Sequence, residues 1–299
     1  MRACHTARMA ATPRLSPWPA RLIGLVLVWS LSACSVLGLL YQQAPRWVGT
    51  WLNNQVQLSD AQRVWVEPAL DEWLQWHRTQ VLPLWINTAQ HWAQQATRDW
   101  SADEVCAALD ALRDQVKTTL DHSTPIWARL AVSLSPQQWR RLREQRAEAT
   151  QDFHDDFVAP SSERVLDERL ARSVKNAERL YGKLSPPQIA WLRGQLQASP
   201  WSPRDTWVQR QARDQAMLRL ISQLQAQAPN PKQAQTQVQA WLDAQWSPED
   251  AAAGAQQAAF WRHSCATIAG LHRQASPQQR LQLAQQLRDY AQDFTQLLP

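Results

Sequence analysis

Glycine is scarce in this sequence, with 7 among 299 residues. Tight hairpins, bulges and phosphate-cradling loops draw on glycine for positive φ, so a turn-rich sheet protein lacks its raw material. No stretch alternates apolar and polar residues at a length useful for a strand. GxSxG, a P-loop spacing, HExxH and CxxC are all missing. Catalytic residues, metal ligands and cofactor loops therefore have no visible constellation, and the chain reads as no enzyme. A basic patch is lacking too, although the formal charge is +5. Arg2, Arg8, Arg14 and Arg21 fall in the first 33 residues, which hold no acid; without them 27 basic residues face 26 acidic ones, a charge of +1. Nothing in that balance argues for nucleic acid as a partner.

What is present begins with those arginines. An apolar run, Leu22 to Trp29, follows them, and then "LSAC", Leu31 to Cys34. A positive segment, an apolar segment and small residues make a secretory signal. "LSAC" resembles a bacterial lipobox. The resemblance implies a cut after Ala33, a lipid on the Cys34 thiol, and outer-membrane placement facing the periplasm, with Ser35 rather than Asp next in line. Lipid adds about 0.8 kcal/mol of membrane affinity per buried CH₂. The apolar stretch also continues to Tyr41, and Leu22 to Tyr41 is long enough for an uncleaved signal anchor. Either Met1 or Met9 serves as a start.

A short motif recurs in the body: "LSDAQ" (58–62), "LSPQQ" (134–138), "LSPPQ" (184–188), "ASPQQ" (275–279), with "WSPRD" (201–205) and "WSPED" (246–250) as looser forms. Ser is a preferred helix N-cap, Pro suits the next position, and Gln or Glu three places on closes a capping box. Each copy thus predicts a helix start, and Ser101 with Glu104 predicts another. Leu134 with Trp139, Leu184 with Ile189 and Trp100 with Val105 stand where a hydrophobic staple forms. Apolar residues at 283, 287, 290, 294 and 297 keep helical spacing. Pro83, Pro125, Pro160, Pro200 and "APNP" (228–231) predict breaks. The expected build is all-α: a signal over 1–33, a lipidated tether over 34–57, and one bundle of about eight to ten helices over 58–299. The uneven spacing of the motif argues against a strict repeat.

With Cys4 in the leader and Cys34 lipidated, Cys106 and Cys265 form an even pair in an oxidising compartment and predict a disulfide; two separate buried thiols are the other reading. His263, Cys265 and His272 are close in sequence, but positions 263 and 265 point to different helix faces. "DFHDDF" (152–157) reads as a solvated face. The densest unusual patch is "WLQWHRTQVLPLW" (73–85). Trp73, Trp76, His77 and Arg78 there make either a binding rim, since Trp and Arg are common hot spots, or a packed core corner around a break at Pro83.

Taken together, the lipobox running into "CSVLGLLYQQA", then "LSDAQ", "WHRTQVLP", "VCAALDAL", "LSPQQW", "ERLYGKLSPPQ" and the closing "HSCATIAGLHRQASPQQRLQLAQQLRDY" resemble a family of uncharacterised proteobacterial lipoproteins carrying a domain of unknown function. The resemblance covers nearly the whole mature chain and implies the Cys106–Cys265 pair, but no reaction. A weaker one is to the periplasmic stress chaperones with "LTxxQ" motifs, with Ser here in place of Thr. The expected function is a lipid-anchored interaction or chaperone-like module, with envelope proteins or unfolded clients as partners. An enzyme or ligand binder with a pocket near Trp76–Arg78, or a passive structural lipoprotein, are the alternatives.

Overall fold

The structure is a computed structural model that describes residues 44–247 and 250–299. Cys34, the leader with Cys4, and the first part of the expected tether lie outside the described residues. The fold is all-α, without a strand among the described residues. In chain order the helices are α1 (Ala44–Val56), α2 (Asp60–Trp76), α3 (Leu82–Gln95), α4 (Ala102–His122), α5 (Thr124–Ser133) and α6 (Pro136–Phe153). Then come α7 (Ser162–Tyr181), α8 (Pro186–Ala198), α9 (Pro203–Gln227), α10 (Pro231–Trp246), α11 (Ala251–Arg273) and α12 (Pro277–Thr295). A π-helical turn, His77–Val81, fuses α2 with α3, and another, His154–Val158, extends α6. Eleven separate rods result among the described residues, slightly more than the eight to ten expected.

The motifs are helix starts. Ser59, Ser101, Ser135, Ser185 and Ser276 each cap a helix and close a reciprocal box with the Gln or Glu three places on. Asn230 with Gln233 makes a sixth box. Three expectations need correction. Ser247 is not an N-cap: α11 starts later, on Asp250, whose carboxylate accepts from the Ala253 N–H and caps as well as Ser. Pro83 does not break the helix. Its missing N–H and bulky ring conflict with i→i−4 bonding, and the π turn before it, in which Leu82 N–H reaches His77 O, lets the rod continue. Nor is 44–56 a tether. It is α1, with Leu52 and Val56 buried in the core, so the helical body takes in 44–56, ahead of the expected start at 58.

The second six helices repeat the first six in order and in packing. Helix α1 packs on α2 and α6, as α7 does on α8 and α12; α2 packs on α5, as α8 does on α11. The middle pairs cross over. Helices α9 and α10 pack on α5 and α6, while α3 and α4 pack on α11 and α12. The chain is thus two six-helix halves that exchange their central hairpins, in the manner of a swapped dimer in one polypeptide. One lobe is built around Leu52, Val66, Leu130, Leu142 and Leu224. The other gathers Ala93, Tyr181, Leu184, Leu283 and Leu287, extended by Val105, Cys265 and Ala269.

The repeat reaches side chains. Cys106 and Gln235 each lie five residues past the N-cap of α4 and α10. Cys265 and Thr124 each lie eleven before the motif Ser of α12 and α6. Cys106 and Cys265 form a disulfide across α4–α11, Cα–Cα 5.3 Å. Across α10–α5, Gln235 Nε2 donates to Thr124 Oγ1 at 3.5 Å. Trp65 and Trp191 both stand three past a motif Gln. Arg129 lies over the Trp65 ring at 4.1 Å; at the matching place in α11 stands Gly270, where a Cβ would come within 2.6 Å of Trp191.

Candidate functional site

The four full motifs meet in two pairs. Gln62 and Gln138 exchange amide hydrogen bonds at 3.2 and 2.6 Å, and Gln188 and Gln279 do so at 2.8 and 3.1 Å. Each Gln also donates to the carbonyl two residues before its partner's Ser: Gln62 to Ser133, Gln138 to Gln57, Gln188 to Gln274, Gln279 to Lys183. Three of these four glutamines are buried, and every amide is used. The motif therefore does two jobs: it caps its own helix and clasps its partner. A buried amide left without partners costs about 1–3 kcal/mol, so Gln cannot be exchanged freely for Glu, Leu or Ala.

The tryptophan patch is taken up by packing. Trp73 Nε1 donates to Thr119 O at 3.2 Å. His77 is buried, 5.9 Å from Trp73 and edge-on to Trp85 at 5.6 Å. Burial lowers its pKa and keeps the ring neutral. Trp76 stacks on His122 with centroids 3.7 Å apart. Arg78 is half-buried beside this column. Trp73, Trp76 and His77 all meet aromatic neighbours, an arrangement that the core-corner reading expects.

A second buried histidine holds the other lobe. His272 is fully buried and stacked on Trp100 at 4.1 Å. Its Nε2 donates to Arg98 O at 2.8 Å, so Nδ1 is bare and accepts from the Tyr181 hydroxyl at 3.0 Å. Burial lowers the His272 pKa and raises that of Tyr181, so this network is neutral. Arg280 adds bonds to Thr97 O, His272 O and the Asp99 carboxylate, fixing the loop between α3 and α4. Every polar atom here is satisfied, which makes the cluster a fastening rather than a reactive centre. Among the described residues no three His, Cys, Asp or Glu side chains lie close enough to share an ion, and no helix is long and apolar enough to cross a membrane.

An open feature lies between α3 and α4. A groove of about 570 Å³ runs there, with Trp92, Trp100, Val105, Leu109 and Ile268 as its apolar surface. Ile268, from α11, is 38% exposed although it sits in the wall of a core helix. The rim is polar: His91, Gln95 and an Arg98–Glu104 ion pair of 2.8 Å. Arg98 and the Ser101 N–H hold the Glu104 pKa at about 2. In the other half the matching pair, α9 and α10, close against each other, so the groove is particular to one side of the repeat. Sequence reasoning did not find it. Trp92 and Trp100 were visible, but which helices diverge depends on the crossover. Comparison with known protein families, curated proteins and solved structures finds no match for the chain.

Proposed function

We propose that this is a lipid-anchored, periplasm-facing envelope protein that binds other envelope proteins in a chaperone-like way, taking an apolar segment of a client into the α3/α4 groove. The observation that carries the reading is the groove itself: an open apolar trough, flanked by tryptophan and rimmed by polar groups, the make-up expected of a protein-binding surface. Two features support the setting. The Cys106–Cys265 disulfide suits an oxidising compartment, and the lipobox at Cys34 supplies an anchor. The alternative pocket near Trp76–Arg78 gains no support from the aromatic packing, in which Trp73 and Trp85 both lie near His77.

The test is in-cell crosslinking of the lipidated full chain with a photoreactive residue at Ala108 in the groove wall, with Arg113, which lies over Trp261 and outside the groove, as control. A spread of outer-membrane polypeptides captured from position 108 and not from 113 is the expected result, and Ala108→Arg abolishes it. Capture of one stoichiometric protein would make the chain an adaptor for that assembly. Equal capture from both positions, or none from 108, would leave the passive structural role standing. Cys34→Ala is expected to move the protein from the membrane to the soluble fraction.

A further inference from the structure

The two halves meet at two matching helix junctions, α3–α12 and α6–α9, and only one of them is dry. In α12, Ala284, Leu287, Ala291 and Phe294 stand at the positions that Arg143, Arg146, Thr150 and Phe153 occupy in α6, counted from the motif Ser. Across the junction Trp85 meets Phe294 edge-on at 5.8 Å, and the guanidinium of Arg210 lies over Phe153 at 4.8 Å. Four residues further on, Ala89 is buried in the dry junction, and Asp214 stands in its place in the other. Asp214 accepts from Arg146 at 3.1 Å and from the Thr150 hydroxyl at 2.8 Å. The fold does not require these polar groups, since alanine, leucine and tryptophan serve the same backbone positions in the other junction.

Their charges do not balance. Among the described residues, neither Arg140 and Arg143 in the cleft wall nor Arg210 and Arg213 beside it on α9 have a carboxylate within ion-pair distance; Asp214 answers Arg146, and Glu144 is the other acid in the cleft wall. The buried Nε of Arg210 and the buried indole N–H of Trp207 have no acceptor. Burial and the nearby Arg210 act to lower the pKa of Arg213, against Asp214. A cleft of about 680 Å³ opens at this place, lined by Arg140, Arg143, Arg146 and Trp207, a volume in the range of small-ligand sites. Crowded guanidiniums and idle donors call for an oxyanion carrying more than one charge. Planar guanidinium forks match phosphate oxygens in pairs, and a phosphomonoester dianion offsets more of the excess than a single carboxylate.

We infer that the α6–α9 cleft is a binding site for a phosphate group, either on a lipid headgroup or as a free phosphate. The inference goes beyond the groove reading and does not rest on it, because the cleft lies on other helices and its occupant is of another class.

The test uses the lipidated full chain in non-ionic detergent micelles and titrates it with inorganic phosphate and with phosphatidic acid doped into the micelles, phosphatidylcholine serving as control. Saturable binding that weakens with added salt is expected. Two variants report the site. Arg140→Gln with Arg143→Gln weakens binding about tenfold or more, a change of 1.4 kcal/mol or greater. A second variant copies the dry junction (Arg143→Ala, Arg146→Leu, Arg210→Trp, Asp214→Ala); it folds and loses binding altogether. Equal affinity for both probes identifies free phosphate as sufficient, and a preference for phosphatidic acid identifies a headgroup site. Binding of neither probe, equal binding of phosphatidylcholine, binding unchanged in the Gln variant, or binding of acidic peptides in place of phosphate overturns the inference.

Discussion

The α3–α12 and α6–α9 junctions occupy matching places in a repeated backbone and are made of opposite materials. One is a seam of alanine and leucine around Ala89, Leu287 and Ala291; the other is an arginine-lined cleft around Asp214. Backbone geometry alone therefore does not dictate what fills a junction. What the fold holds constant is smaller: the paired capping boxes, Trp65 and Trp191, the buried Leu142 and Leu283, and the small Ala128 and Ala269. The difference teaches where to look for function, because side chains the fold can replace are the ones free to serve something else.

The sharpest way to break the comparison is to carry the charge of one junction into the other. Ala89→Asp would bury a carboxylate with no arginine or hydroxyl to meet it, and is expected to cost about 3–5 kcal/mol in denaturant unfolding. The reverse exchange, Asp214→Ala, removes the acid from a half-open site and should cost about 1–3 kcal/mol. Similar costs for the two would show that the junctions tolerate charge alike and that the polar one is not specially arranged.

A second comparison concerns the crosslinks between exchanged hairpins and their hosts. Replacing Cys106 and Cys265 by Ser is expected to cost about 2–5 kcal/mol. If the repeat is true at side-chain level, Thr124→Cys with Gln235→Cys should close a second disulfide at the mirrored place, seen as the absence of free thiols on alkylation and mass analysis. Thiols that stay reduced in oxidised protein would show that the halves match in topology but not in register. Smaller again is the tryptophan seat. Gly270→Ala forces Trp191 to move and should cost about 1–3 kcal/mol, whereas Arg129→Ala, which strips only the cation from Trp65, should cost about 0.5–1 kcal/mol.

The sequence shows its helix starts plainly, because a capping box is local: Ser59 and Gln62 are three residues apart wherever the chain goes. With Cys4 expected in a leader and Cys34 expected to carry lipid, it also leaves Cys106 and Cys265 as the candidate pair. The repeat is hidden, since the motif Ser residues are 76 apart in the first half and 91 apart in the second. The longer α9 and α11 absorb the difference. Pro83 misleads because a π turn reconciles proline with a continuous helix. The arginine cleft is not legible either. "WRRLREQR" (139–146) looks like a solvated helix face until α9, arriving from the other half, brings Arg210 and Asp214 against it.

The last difference between the lobes is a proton. His272 stands four residues before Ser276, and its counterpart four before Ser135 is Ala131. His272 is buried and neutral, its pKa held below the usual 6.5 by burial. The unfolded chain takes up a proton near pH 6.5 that the folded state refuses until lower pH. Stability is thus full above about pH 6.5 and falls as pH drops below it, by about 1.4 kcal/mol per pH unit for one such group. His77 is lowered in the same direction, so the wild-type slope carries both. His272→Gln should lower stability at pH 8, where it disturbs the bonds to Tyr181 and Arg98, yet flatten the slope between pH 6.5 and 5 by about one proton's worth. Denaturant unfolding at a series of pH values separates the two effects. A slope unchanged by the substitution would mean that the folded protein charges His272 as readily as the unfolded chain does.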